Sequence, residues 1–190
     1  MIFLDVGAHN GQTLEEVTKP KWPFRHVYAF EPMHREYEAI TRFHSPSCTV
    51  LNYGLADFTG TAPIYGSNDH CEASMFPEKV DVDNSVETIC RFVRATHFMQ
   101  TMPDEPIIMK MNCEGAEIAI LNDLLDSHRI DRISHLTVDF DIRRVPGKEL
   151  WADQLIGRLN ETPLEWRLSG DHFHGETHQL KIENWLTEIL

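Results

Sequence analysis

Asp5-Val-Gly-Ala-His-Asn-Gly-Gln-Thr13 is the stretch of this 190-residue chain whose residue types best suit close approach by a ligand. Gly7 and Gly11 carry no Cβ, so the backbone can turn sharply there and another molecule can lie against it. The spacing narrows the choice. A dinucleotide fingerprint needs G-x-G-x-x-G, but position 9 is His9, and no Gly-Lys-Ser/Thr follows to make a P-loop. Glu31, followed by Pro32, stands twenty positions beyond Gly11. α/β nucleotide-binding folds place an acid there to accept hydrogen bonds from ribose hydroxyls. Leu55, Ala56 and Asp57 offer an apolar wall and one acceptor, suited to an adenine ring.

A second group of residues could move protons. Glu114 and Glu117 stand where a strand passes into a helix, and a helix N-terminus favours their ionised forms. For Glu117 helix-end charge compensation is the stronger reading, whereas Glu114 is nearer the strand end and is the better candidate base. Asp139 and Asp141, with Asn112, could supply oxygen ligands to Mg²⁺, but acids are common at such positions and no resident metal is expected. His172, His174 and His178 cluster near the C-terminus. An imidazole titrates near neutrality, which makes His172 or His174 a candidate base; solvated loop histidines are the alternative, and a zinc site is the weaker one.

These residues work together only if the intervening elements bring them to one edge. Residues 2–6 are a short apolar run without polar alternation, the pattern of a strand buried on both faces of a parallel sheet, and a helix begins at 13–17. Further strands are expected at 25–30, 48–52, 61–65, 106–111 and 133–140. Helices are expected at 33–43, 85–98 (Val86, Ile89, Cys90 and Val93 inward), from 112–117 through 125, and 147–159. Residues 80–82 look extended, and the turn-rich stretch 66–77 reads as a loop, either lid or connector. Residues 164–168 and 178–182 read as two strands joined by a short loop, which would make them an antiparallel hairpin. The result is an α/β, Rossmann-like chain of one domain over 1–190, with a mostly parallel sheet, helices on both faces and a C-terminal antiparallel hairpin.

Composition excludes some partners. A formal charge of −13 argues against nucleic acid or an anionic membrane, both of which want a basic face. The four cysteines are scattered, with no C-x-x-C pair, so neither a disulfide framework nor a zinc ribbon is suggested. No basic leader and no apolar run of membrane-spanning length is present, and a cytoplasmic protein is expected.

Lys110-Met-Asn-Cys-Glu-Gly-Ala-Glu117 resembles the Lys-Ile-Asp-Val-Glu-Gly-Ala-Glu signature of FkbM-family methyltransferases. The resemblance extends to three more motifs in the same order: residues 5–13, Tyr28-Ala-Phe-Glu-Pro32, and Gly54-Leu-Ala-Asp57 with Gly60. It implies a class I methyltransferase fold, S-adenosylmethionine (SAM) as donor, S-adenosylhomocysteine as product, and usually a hydroxyl oxygen of a sugar, glycan or secondary metabolite as acceptor. The donor-binding positions it implies are Asp5, Gly7, Ala8, His9, Asn10, Gly11, Gln12, Thr13, Glu31, Pro32, Leu55, Ala56, Asp57 and Asn112. The catalytic candidates are Lys110, Asn112, Glu114, His172 and His174. Two departures stand out. Asn112 replaces the usual Asp, keeping an acceptor but unable to act as a base, and the helix that commonly precedes the first strand is missing, which should leave one sheet face less covered. A SAM-binding assembly module without catalysis is therefore the alternative, and a nucleotide-dependent oxidoreductase is disfavoured by the missing third glycine.

Overall fold

The computed structural model describes residues 1–66, 73–172 and 175–190, residues 171 and 172 by backbone alone. The first half runs β1 (Ile2–Val6), α1 (Leu14–Val17), β2 (His26–Phe30), α2 (His34–Ile40), β3 (Cys48–Leu51), β4 (Gly54–Ala56), β5 (Gly60–Tyr65) and β6 (Glu87–Arg94). The second runs α3 (Ala95–Thr101), β7 (Ile107–Met111), α4 (Glu117–Asp126), β8 (Ile133–Val138), α5 (Glu149–Leu159), β9 (Glu165–Leu168), α6 (Ser169–His172) and α7 (His178–Ile189).

Among the described residues the central sheet has six strands in the order β3-β2-β1-β7-β8-β9, and every pairing is parallel. The winding reverses between β1 and β7, and in doubly wound sheets the crevice beyond that reversal receives the ligand. β1 and β7 are apolar almost throughout and wholly buried because helices cover both faces. Ile2, Leu4 and Val6 point into a core shared with α3, α4 and α5. Phe3 points the other way, into a cluster with Leu14 and Val17 of α1, Ile40 of α2, and Ile182, Trp185 and Leu186 of α7. A second, three-stranded sheet, β4-β6-β5, pairs β4 parallel and β5 antiparallel to β6.

Asp5 and Lys110 interrupt the apolar run. They are register partners across the reversal, and Lys110 Nζ lies 3.0 Å from Asp5 Oδ1. The same ammonium donates to the carbonyl oxygen of Gly7 at 2.8 Å, so it braces the turn that follows β1.

Three expected segments differ. Residues 85–98 form β6 and the start of α3 rather than one helix, with Cys90 and Phe92 buried and Ile89 turned outward, 62% exposed. Helical and two-residue periods overlap in this sequence. Pairing with both β4 and β5 selects the strand, and β-branched Thr88, Ile89 and Val93 suit it. The C-terminal antiparallel hairpin does not form. β9 runs parallel to β8 because α5 supplies the crossover, and residues 178–182 open α7. Ile182, Trp185 and Leu186 recur at helical spacing, and the Thr177 hydroxyl accepts from Leu180 N–H as an N-cap. α7 packs Trp185 edge-on against Phe3, so the sheet face expected to be sparsely covered carries a helix. Residues 80–82 lie in turns, not an extended segment, and residues 67–72 of the expected loop fall outside the described residues.

Lys110→Met should unfold the protein about 3 kcal/mol more easily, because it strands a fully buried carboxylate, and Asp5→Asn in the same chain should recover much of that loss. Urea unfolding of the two single variants and the double variant would measure this. A Lys110→Met variant as stable as wild type would show that the pair is not a brace.

Candidate active site

The ends of β1, β2 and β7 open into a cleft of about 250 Å³. Its floor is the turn after β1. The amides of Gly7 and Ala8 both donate to the Phe30 carbonyl, at 3.1 and 3.0 Å, which ties the turn to β2. Gly7 has φ +81°, and a Cβ there would lie 1.9 Å from the Asn112 carbonyl oxygen, so close approach of the two strands requires glycine. His9 takes φ 45° and directs its amide to Glu31 Oε2 at 2.8 Å. Met33 N–H donates to Glu31 Oε1 at 2.9 Å. Burial lifts the Glu31 carboxyl to about 7, against the pull of these two amides. Each oxygen keeps acceptor capacity for a ligand hydroxyl.

The β7 side is built differently. Asn112 N–H donates to the Val6 carbonyl, but the side-chain Oδ1 is buried without a donor. Glu114 and Gly115 follow with φ 58° and 110°, making a tight turn into α4. The Glu114 carboxylate lies 2.7 Å from Lys79 Nζ, and its carbonyl accepts from the Ser74 hydroxyl. Glu117 is fully buried and accepts from the amides of Cys113 and Gly115 through Oε1. Burial raises it to about 8, so desolvation outweighs the helix end and Glu117 is a neutral brace at pH 7, not an ionised charge. Asp141 is lifted to about 6 by burial and by Glu114 and Asp139, against Lys79 and Arg144, while Asp139 is exposed. Among the described residues, no three His, Cys, Asp or Glu side chains gather as a metal site.

The cleft brings together Gly7, Ala8, His9, Asn10, Gln12, Thr13, Glu31, Pro32, Leu55, Lys110, Asn112 and Glu114. Four expected contacts are not among its lining. Asp5 lies beneath the floor, Gly11 packs against Ile40 and Phe43, Ala56 is buried in the small sheet's own cluster, and Asp57 is exposed beyond β4. The His172 side chain and His174 fall outside the described residues. The sequence does not point to Met33, Ile64, Met75 and Phe92, which form an apolar wall of the cleft: Ile64 lies in the strand expected at 61–65, but Phe92 reads as helix and Met75 as loop, and the small sheet that carries Ile64 and Phe92 there forms only through tertiary pairing. Nor does the sequence point to His178 at the cleft, whose position depends on α7.

An all-parallel, doubly wound sheet with a cleft at its reversal and an acid closing β2 defines a Rossmann-like α/β fold. Residues 5–169 match the family described as "Methyltransferase FkbM domain", and the chain therefore belongs to that family. Among solved structures it is similar to the methyltransferase FkbM from Methylobacillus flagellatus KT, at 17% identity and a TM-score of 0.45, over 98% of this chain and 36% of that one. The chain thus spans little more than a third of that protein's length. No curated protein matches. No helix among the described residues is long and apolar enough to cross a membrane.

The raised carboxyls set a pH dependence. Glu117 moves from 4.5 in the unfolded chain to about 8 folded, so the folded state keeps a proton the unfolded chain has released. That contribution is complete below about pH 4.5 and is lost as pH rises through 8; Glu31, at about 7, acts in the same direction. Unfolding free energy should fall between pH 5 and 9, and Glu117→Gln should flatten the fall by on the order of 2 kcal/mol. Denaturant titrations at stepped pH check this, and an unchanged slope in the variant would contradict a neutral Glu117.

Proposed function

We propose that this chain is a SAM-dependent methyltransferase acting on a hydroxyl of a sugar, glycan or secondary metabolite. The observation that carries the reading is Glu31: a buried carboxyl at the end of β2, fixed by two amides, with acceptor capacity left over and a place in the cleft lining. Ribose hydroxyls would satisfy that capacity. Pro32, Met33, Leu55 and Phe92 would hold the adenine, and the turn from Gly7 to Thr13 the amino-acid end. The Asn112 Oδ1, buried without a donor, fits the donor's cationic end. The fit is chemical as well as spatial: apolar walls for a base, an acid for a diol, and an orphaned acceptor for a cation.

The donor supplies an activated methyl group on a sulfonium. The chain's own work is positioning, since in-line displacement needs donor and acceptor held at near-attack distance. For a hydroxyl to accept that methyl group, its proton would have to leave for a base. Glu114 lines the cleft and is the candidate, with the Lys79 ammonium 2.7 Å from its carboxylate. The acidic chain, at −13, suits a small-molecule or glycan acceptor better than a nucleic acid.

The second reading is a SAM-binding module without catalysis, favoured by Asn112 standing where the family signature has an acid. Calorimetric titration with S-adenosylhomocysteine should give a micromolar wild-type affinity, weakened about 100-fold or more in Glu31→Ala and Glu31→Gln. Folded wild type that binds nothing would overturn both readings. Binding with no tritiated product from SAM across sugar, glycan and metabolite pools would favour the module.

A further inference from the structure

α7 lies beyond residue 169, where the family match ends, yet it contributes a side chain to the cleft. His178 Nε2 is 2.9 Å from Thr13 Oγ1, across 165 positions of sequence. The contact is anchored by packing. Ile182, Trp185 and Leu186 are buried against β1 and α1, and ion pairs join Lys21 to Glu183 and Arg167 to Glu188.

Thr13 occupies the N-cap position of α1, where a threonine hydroxyl ordinarily accepts from a helix amide. Here it makes no such bond, and the imidazole takes the hydroxyl instead. Burial, Lys110 across the cleft and Lys181 on its own helix hold His178 down to about 4, so the ring is neutral at pH 7. A neutral ring has one N–H and one acceptor nitrogen. Thr13 and His178 therefore form a hydrogen-bonding pair in the cleft lining, on the same turn that begins at Gly7.

Resting on the SAM reading above, we propose that His178 is a positioning residue for the donor. Through Thr13 it fixes the amino-acid end, so that the C-terminal helix, outside the matched family domain, completes the donor pocket. The role is confined to one end of the ligand, because Glu31, which would take the ribose, has different partners.

The test compares S-adenosylhomocysteine with 5′-methylthioadenosine, which keeps the adenine, ribose and thioether but lacks the amino-acid end. Calorimetry should show His178→Ala binding S-adenosylhomocysteine about tenfold more weakly or worse, with 5′-methylthioadenosine within about twofold of wild type. His178→Gln, whose amide nitrogen can stand near Nε2, should restore most of the loss, and melting curves of the variants should overlay wild type. Equal weakening of both ligands would make His178 a mere prop for the turn, and no weakening would remove its role; either overturns the proposal. Wild type that binds neither ligand would instead sink the SAM reading, and this inference with it.

Discussion

The ion pair between Asp5 and Lys110 is the constraint on which the rest of the molecule depends. Two charges are withdrawn from water at the reversal of the sheet, and desolvation makes such a pair tolerable only when each has its partner at close range. The direction of the Asp5 shift shows how tight the balance is: burial raises its carboxyl despite the neighbouring ammonium. Lys110 also reaches the Gly7 carbonyl, so one side chain couples β1, β7 and the turn between cleft and core. The glycine then has no alternative, since any Cβ would meet the Asn112 backbone.

Around that floor three carboxyls stand in three different environments. Glu31 is held by backbone amides and raised by burial, which suits a group waiting for hydroxyl donors. Glu117 gives up its charge and ties Cys113 and Gly115 to α4. Glu114 is ion-paired with Lys79, a residue from the segment that also docks Ser74 on the Glu114 carbonyl.

Much of this was legible in the chain. The four motifs, the parallel sheet, Gly7 and Glu31 follow from local rules: glycine where backbones meet, an apolar run where both faces are covered, an acid at a strand end. What escaped depended on tertiary context. Residues 87–94 satisfy two periods at once, and only neighbours on both sides choose the strand. Residues 178–182 taken alone suit a hairpin strand; Trp185 and Leu186, buried at helical spacing from Ile182, reveal the helix. The hairpin reading hides the path of His178 to Thr13. Asp57 was placed by order along the chain, but the small sheet carries β4 away and leaves it in solvent.

If the methyl donor lies at the reversal between β1 and β7, a crystal structure of the protein with S-adenosylhomocysteine will show the ribose hydroxyls within hydrogen-bonding distance of the Glu31 carboxyl and the amino-acid end beside Thr13. Ligand lodged instead in the neighbouring groove lined by Glu15, Arg42 and Gln179, with the cleft above Gly7 unaltered, would contradict that placement.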